Sequence, residues 1–67
     1  MRMFPQVDET FTGTVVDVAP FGSFVEHPDG TCGLLYGETV EVGTTLEVRV
    51  LHSDPVKERY SLARAQH

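Results

Sequence analysis

From Phe11 onward the chain alternates short β-branched and aromatic runs with turn residues, and nothing reads as a long amphipathic helix. The first run, FTGTVVDVA, carries Val15 and Val18 as its inward candidates. They are three apart where a strand repeats every two, so a bulge between them is needed to keep both inside. Gly13 in the same run permits the coiling that a small barrel demands. PFG breaks this strand and SFVEH forms the second. PDG is a turn with a mechanism: proline presets φ, and glycine accepts positive φ. TCGLLYG is the third strand, followed by the loop ETVEVG, which ends at Gly43. TLEVRVLHS alternates cleanly, with Leu46, Val48 and Val50 facing one way and Glu47 and Arg49 the other. DPVKE is the last turn, and RYSLARA closes the pattern with Tyr60 and Leu62 on one face.

Five short strands in one domain predict an all-β, antiparallel barrel of the OB type, although periodicity alone also allows an SH3-like barrel. The expected interior is Val15, Val18, Val25, Leu34, Val48, Val50 and Leu62, with Cys32 as a small buried side chain. Residues 1 to 10, MRMFPQVDET, lack periodicity and read as a partly ordered extension, with Met3, Phe4 and Val7 able to pack on the body. The domain proper is residues 11 to 65. There is no internal repeat or low-complexity tract.

At 67 residues the chain has room for one domain and little room for a catalytic cleft several layers deep. The single cysteine excludes an intramolecular disulfide and cannot make a cysteine-based metal site alone. The three histidines, His27, His52 and His67, sit on separate elements without ligand spacing, so neither metal nor cofactor is expected. Gly22 and Gly30 are turn glycines outside any phosphate-loop spacing. The start MRMFPQ has no long apolar run, so no secretory signal, membrane span or membrane partner is expected, and a cytoplasmic location is the default. A net charge of −5 opposes binding to a polyanion, so any nucleic-acid reading requires a local patch that departs from the average. The scattered acids are ordinary soluble surface unless several share a face, which would then repel RNA or attract a basic protein.

The segments resemble those of a known family. GTVVDVAPFGSFVE resembles the opening of an S1 RNA-binding domain, in which a glycine-led strand runs into a Phe-Gly-small-Phe-Val motif. GLLY resembles that family's Gly-Leu-Val-His segment, and VGTTLEVRVLHSDPVKERYSLA its Val-Gly-Asp, alternating strand, Asp-turn-Arg and Ser-Leu strand. The similarity covers roughly residues 11 to 63, and the order and spacing of the pieces are what make it specific. The resemblance implies a five-stranded OB barrel, without enzymatic activity, that binds single-stranded RNA as an accessory to translation, transcription or RNA turnover, in association with a ribosome or polymerase.

Transferred position by position, the resemblance implies RNA contacts at Phe21, Phe24, Tyr36, Asp54 and Arg59. Aromatic rings on the second and third strands would let unstacked bases lie on them. Arg59 would meet a phosphate or a base, and Asp54 would accept hydrogen bonds from a base or sugar hydroxyl, or hold Arg59. Arg49, Lys57 and Arg64 are further candidate phosphate contacts.

Alternation favours an outward Phe24, because Val25 is the better core residue. Phe21 is open between platform and core, and Tyr36 between platform and barrel cap. Three departures from the family pattern stand out. Tyr36 occupies a position usually held by histidine, Asp17 lies near a usually basic one, and the stretch before VGTT is too short for the helix most members carry there. These departures weaken the expected RNA affinity and define the alternative, a protein-interaction module on an S1 scaffold with a basic partner.

Overall fold

The computed structural model describes residues 4–65. It contains strands β1 (Thr10–Ala19), β2 (Gly22–Glu26), β3 (Cys32–Tyr36), β4 (Thr45–Asp54) and β5 (Arg59–Arg64), closed into a barrel in the order β1-β2-β3-β5-β4. Neighbours pair antiparallel except β3 and β5, which run parallel. Closure requires this exception to the antiparallel expectation. The chain leaves β3, crosses the barrel end to β4, and returns as β5 in the direction of β3.

The interior holds Phe11, Val15, Val25, Leu35, Leu46, Val48, Val50, Tyr60 and Leu62, with Phe4 and Val40 packed against it. The predicted bulge in β1 is present, as a register shift between Val15 and Asp17. It places Val18 opposite the buried Ser23, on the inward side as expected. Val18 nevertheless remains 39% exposed. Pairing of β1 with β4 ends at Thr14, so no strand covers Val18 at the rim.

Leu34 and Cys32 do not face inward as predicted. Val25 pairs with Gly33 and Ser23 with Leu35, which fixes Gly33 and Leu35 on the inner face. Because side chains alternate, a one-residue change of phase turns the whole strand over. Leu35 therefore enters the core, Leu34 is half-buried on the outer face, and Cys32 is exposed. Gly33 is required by its neighbour, since a Cβ there would clash with the Cε2 and Cδ2 atoms of the Tyr60 ring.

A buried hydroxyl helps to hold the short loop between β3 and β4. Ser23 Oγ, fully buried, donates to the carbonyl of Glu38 and accepts the N–H of Val40, each at 2.7 Å. This draws Val40 onto the core at the end of the barrel.

At the other end, residues 4–9 are packed on the barrel more closely than a loose extension. The Phe4 ring meets Tyr60 edge-on at 5.4 Å, Pro5 is buried, and Ser53 Oγ donates to the Pro5 carbonyl. The Asp8 N–H donates to the carbonyl of Val50 at 2.8 Å. Of the apolar residues named for this segment, Val7 stays 54% exposed, and Met3 lies outside the described residues.

Candidate nucleic-acid interface

The phase of β3 that sends Leu35 inward also sends Tyr36 outward, and this builds the candidate site. Across the outer face the register joins Phe24 to Leu34, Leu34 to Ser61, and Ser61 to His52. Phe21 stands just before β2, 51% exposed, with its ring edge-on to Phe24 at a centroid distance of 6.3 Å. The Tyr36 ring, 69% exposed, lies 6.2 Å from Phe21 on the other side, tilted by 40°. Phe24 itself is half-buried. The three aromatics form one continuous patch, with Phe21 in the middle. This resolves Phe21 and Tyr36 as surface residues.

Beside the patch runs an open groove of about 660 Å³, walled by Phe21 and Phe24 at one side and by His52, Asp54, Lys57 and Arg59 at the other. Asp54 pairs with Arg59 in register at the end of the β4–β5 hairpin. No ion pair joins them; Asp54 Oδ1 instead accepts the Lys57 N–H at 3.3 Å and so caps the turn. Glu58 takes a left-handed φ of 56° in that turn. Among the described residues neither Lys57 nor Arg59 is ion-paired, so both charges are available to an anion in the groove.

The remaining cations differ from one another. Arg49 pairs with Thr10 and Ala63 and faces outward on β4, beyond the groove wall. Arg64 pairs with Val48, on the opposite phase, and its Nε donates to Glu38 Oε1 at 2.8 Å, so its charge is already partnered. The structure therefore brings together Phe21, Phe24, Tyr36, Asp54, Arg59 and Lys57, keeps Arg49 on the flank, and leaves Arg64 out.

Six groove residues are not among the expected contacts: Cys32, Gly33, Leu34, His52, Tyr60 and Ser61. His52 is the instructive one. Clean alternation from Val48 and Val50 would turn it inward, but a second register shift, between Val50 and His52, leaves Leu51 as the extra residue and turns His52 out. Burial, then the nearby Glu26 carboxylate, push the Cys32 thiol above its ordinary value.

The other histidine within the described residues is held away from the groove. His27 bonds Glu9 Oε2 at 2.9 Å, its Nδ1 accepts the Asp29 N–H at 3.0 Å, and its ring packs 4.3 Å from that of Phe11. His67 lies outside the described residues.

The chain matches no protein-family model. It is 33% identical over 72 residues to a polyribonucleotide nucleotidyltransferase of Amoebophilus asiaticus, a match covering 90% of this chain and 10% of that protein. Polyribonucleotide nucleotidyltransferases of Porphyromonas gingivalis match at 34% over 73 residues, with the same coverage. The chain thus spans about a tenth of the length of the curated relatives it matches. Among solved structures, GSP13 from Bacillus subtilis superimposes with a TM-score of 0.76 at 28% identity, over 88% of this chain and 55% of that one. Mycoplasma genitalium RNase R, in complex with ribose methylated single-stranded RNA, matches in fold with a TM-score of 0.77 at 18% identity, over 90% of this chain and 13% of that one. The chain is an S1-type OB domain.

This S1 domain carries its departures from the family pattern at defined places. Asp17 pairs with Phe24 across β1 and β2, so a carboxylate flanks the aromatic patch. Its Oδ1 accepts the Val18 N–H at 2.9 Å. Tyr36 supplies a broad ring without the charge that a protonated histidine would add. The helix usual after β3 is replaced by the loop that Ser23 pins.

Proposed function

We propose that this S1 domain holds single-stranded RNA weakly, mainly by stacking bases on Phe21, Phe24 and Tyr36, and serves as an accessory module of RNA metabolism. The observation that carries this reading is the exposed aromatic patch bordering a groove with two cations, Lys57 and Arg59, that are free of ion pairs among the described residues. The relatives support it: the sequence resembles part of polyribonucleotide nucleotidyltransferases, and the fold resembles part of an RNase R seen with single-stranded RNA. Bond making and breaking would belong to other parts of such proteins, while this domain tethers the strand. A cytoplasmic setting suits that role.

Stacking contributes about 1–3 kcal/mol per base and tolerates any base, because every base has a π-face. With two stacked bases offset by ordering costs, affinity is expected in the tens of micromolar or weaker. Lys57 and Arg59 add a modest electrostatic share against the overall charge of −5.

Fluorescence anisotropy with a labelled, unstructured hexaribonucleotide tests the proposal. Saturable binding at low salt that Tyr36→Ala weakens supports it. Saturable binding that Tyr36→Ala leaves unchanged would place the RNA elsewhere. An absence of binding would favour a protein partner for the same surface.

A further inference from the structure

The groove is chemically different at its two ends. The aromatic end presents three rings, with Asp17 at its flank. The far end presents Ser61, His52, Asp54, Lys57 and Arg59. Phe24 and His52 stand on strands separated by β3 and β5. Three inter-strand steps of about 4.8 Å therefore lie between the two ends, more than one flat base covers. Successive nucleotides would meet different chemistry.

At the far end Asp54 is the only acceptor-only side chain in the groove wall. It is half-buried, so water shields it less than the exposed acids. One carboxylate oxygen is used by the turn, where Oδ1 meets the Lys57 N–H at the long distance of 3.3 Å. The other has no hydrogen-bond partner among the described residues, and Arg59, its neighbour in register, is not ion-paired with it.

We infer that Asp54 makes this end of the groove selective, favouring a base with adjacent hydrogen-bond donors, guanine above all, and disfavouring uracil. The inference rests on the RNA reading above and goes beyond its tolerance of sequence. A carboxylate only accepts. Guanine offers N1–H and the N2 amino group side by side on its Watson–Crick edge. Cytosine and adenine each offer one amino group. Uracil offers a single N3–H between two carbonyls, so an oxygen lone pair must face the carboxylate. Arg59, which only donates, suits the O6 and N7 acceptors of guanine or the adjoining phosphate. The aromatic end keeps its indifference to sequence, and the selection falls on one nucleotide position.

The test compares r(UUUU) with r(UUGU) and r(UGUU), titrated by NMR into the full chain and into Asp54→Asn. Asparagine keeps a side-chain oxygen for the Lys57 N–H, so the turn cap survives. It adds donors that a uracil carbonyl can use. The unmodified chain is expected to bind at least one guanine-containing strand about fivefold or more tightly than r(UUUU), at the low end of one well-formed base contact. Asp54→Asn is expected to bring the ratio to near one while tightening r(UUUU). Equal affinities in the unmodified chain, or a guanine preference that Asp54→Asn leaves intact, would overturn the inference. If the Phe21 and Tyr36 resonances still shift in those cases, the RNA reading itself stands. If they shift with no strand at millimolar RNA, both fall together.

Discussion

The rings of Phe21 and Tyr36 lie 6.2 Å apart because the open end of the β2–β3 hairpin is locked: the Gly37 N–H donates to the Phe21 carbonyl at 2.9 Å. Both rings are more exposed than buried, so the pair contributes little to folding. Phe21→Ala and Tyr36→Ala are each expected to change stability by about 0.5 kcal/mol or less, the range for exposed sites. Each is expected to cut RNA affinity by about fivefold or more, the low end of one lost stack. Phe24→Ala, at a half-buried ring, should fall between that small cost and the roughly 3–5 kcal/mol of a fully buried phenylalanine. Urea midpoints alongside anisotropy titrations check all three.

Ser23 is expected to matter far more than a serine usually does. Its hydroxyl serves the Glu38 carbonyl and the Val40 N–H, and it is the only buried polar side chain among the described residues. Ser23→Ala should cost about 1–3 kcal/mol, since both backbone groups lose a partner in a place water reaches poorly. The β3–β4 loop should loosen with it, which faster amide exchange at Val40 would show.

These two sites also show what the sequence could reveal. The strand count, a small barrel, most of the core and an outward Phe24 follow from alternation and turn chemistry, because those signals are local; Phe21 and Tyr36 as surface rings come from the family resemblance. The phase of β3 was hidden. CGLLY offers Leu34 and Leu35 as equal candidates, and only pairing with Ser23 and Val25 decides between them. The bulge at Leu51 was hidden for a similar reason: a run that alternates cleanly carries no mark of the extra residue that turns His52 outward. The role of Ser23 was invisible because its partners, Glu38 and Val40, lie across a loop without periodicity.

Gly33 should tolerate no side chain. A Cβ there meets the Tyr60 ring and, at 2.9 Å, Leu62 Cδ1. Both neighbours are buried and have little room to yield. Gly33→Ala should therefore destabilise the barrel by about 1–3 kcal/mol, as overpacking of a close-packed core does. A thermal melt measures it, and an unchanged Tm would show that the barrel can widen at β3.

Stability should fall in alkali through Tyr60. Burial holds its phenol above the ordinary value, with Asp29, Cys32 and Glu9 adding to the rise and the Thr31 hydrogen bond opposing it. The folded state therefore binds this proton more tightly than the unfolded state. The contribution is complete below about pH 10, the unfolded value, and is lost as pH rises through the folded one. Urea midpoints measured from about pH 9 to pH 11 should decline more steeply for the unmodified chain than for Tyr60→Phe.

The central claim is that this acidic S1 domain binds single-stranded RNA through an aromatic patch and a two-cation groove. An NMR titration with a short unstructured RNA, repeated at several salt concentrations, tests it most directly. Shifts are expected to concentrate on Phe21, Phe24, Tyr36, Lys57 and Arg59 and to leave Arg64 unmoved. If Lys57 and Arg59 each neutralise one phosphate, log affinity should fall with log salt at a slope of about −1.4, since each phosphate contributes about −0.7 for a single strand. Arg59→Ala should roughly halve that slope, to about −0.7. An absence of shifts at Phe21, Tyr36 and Arg59 at millimolar RNA and low salt would contradict the account.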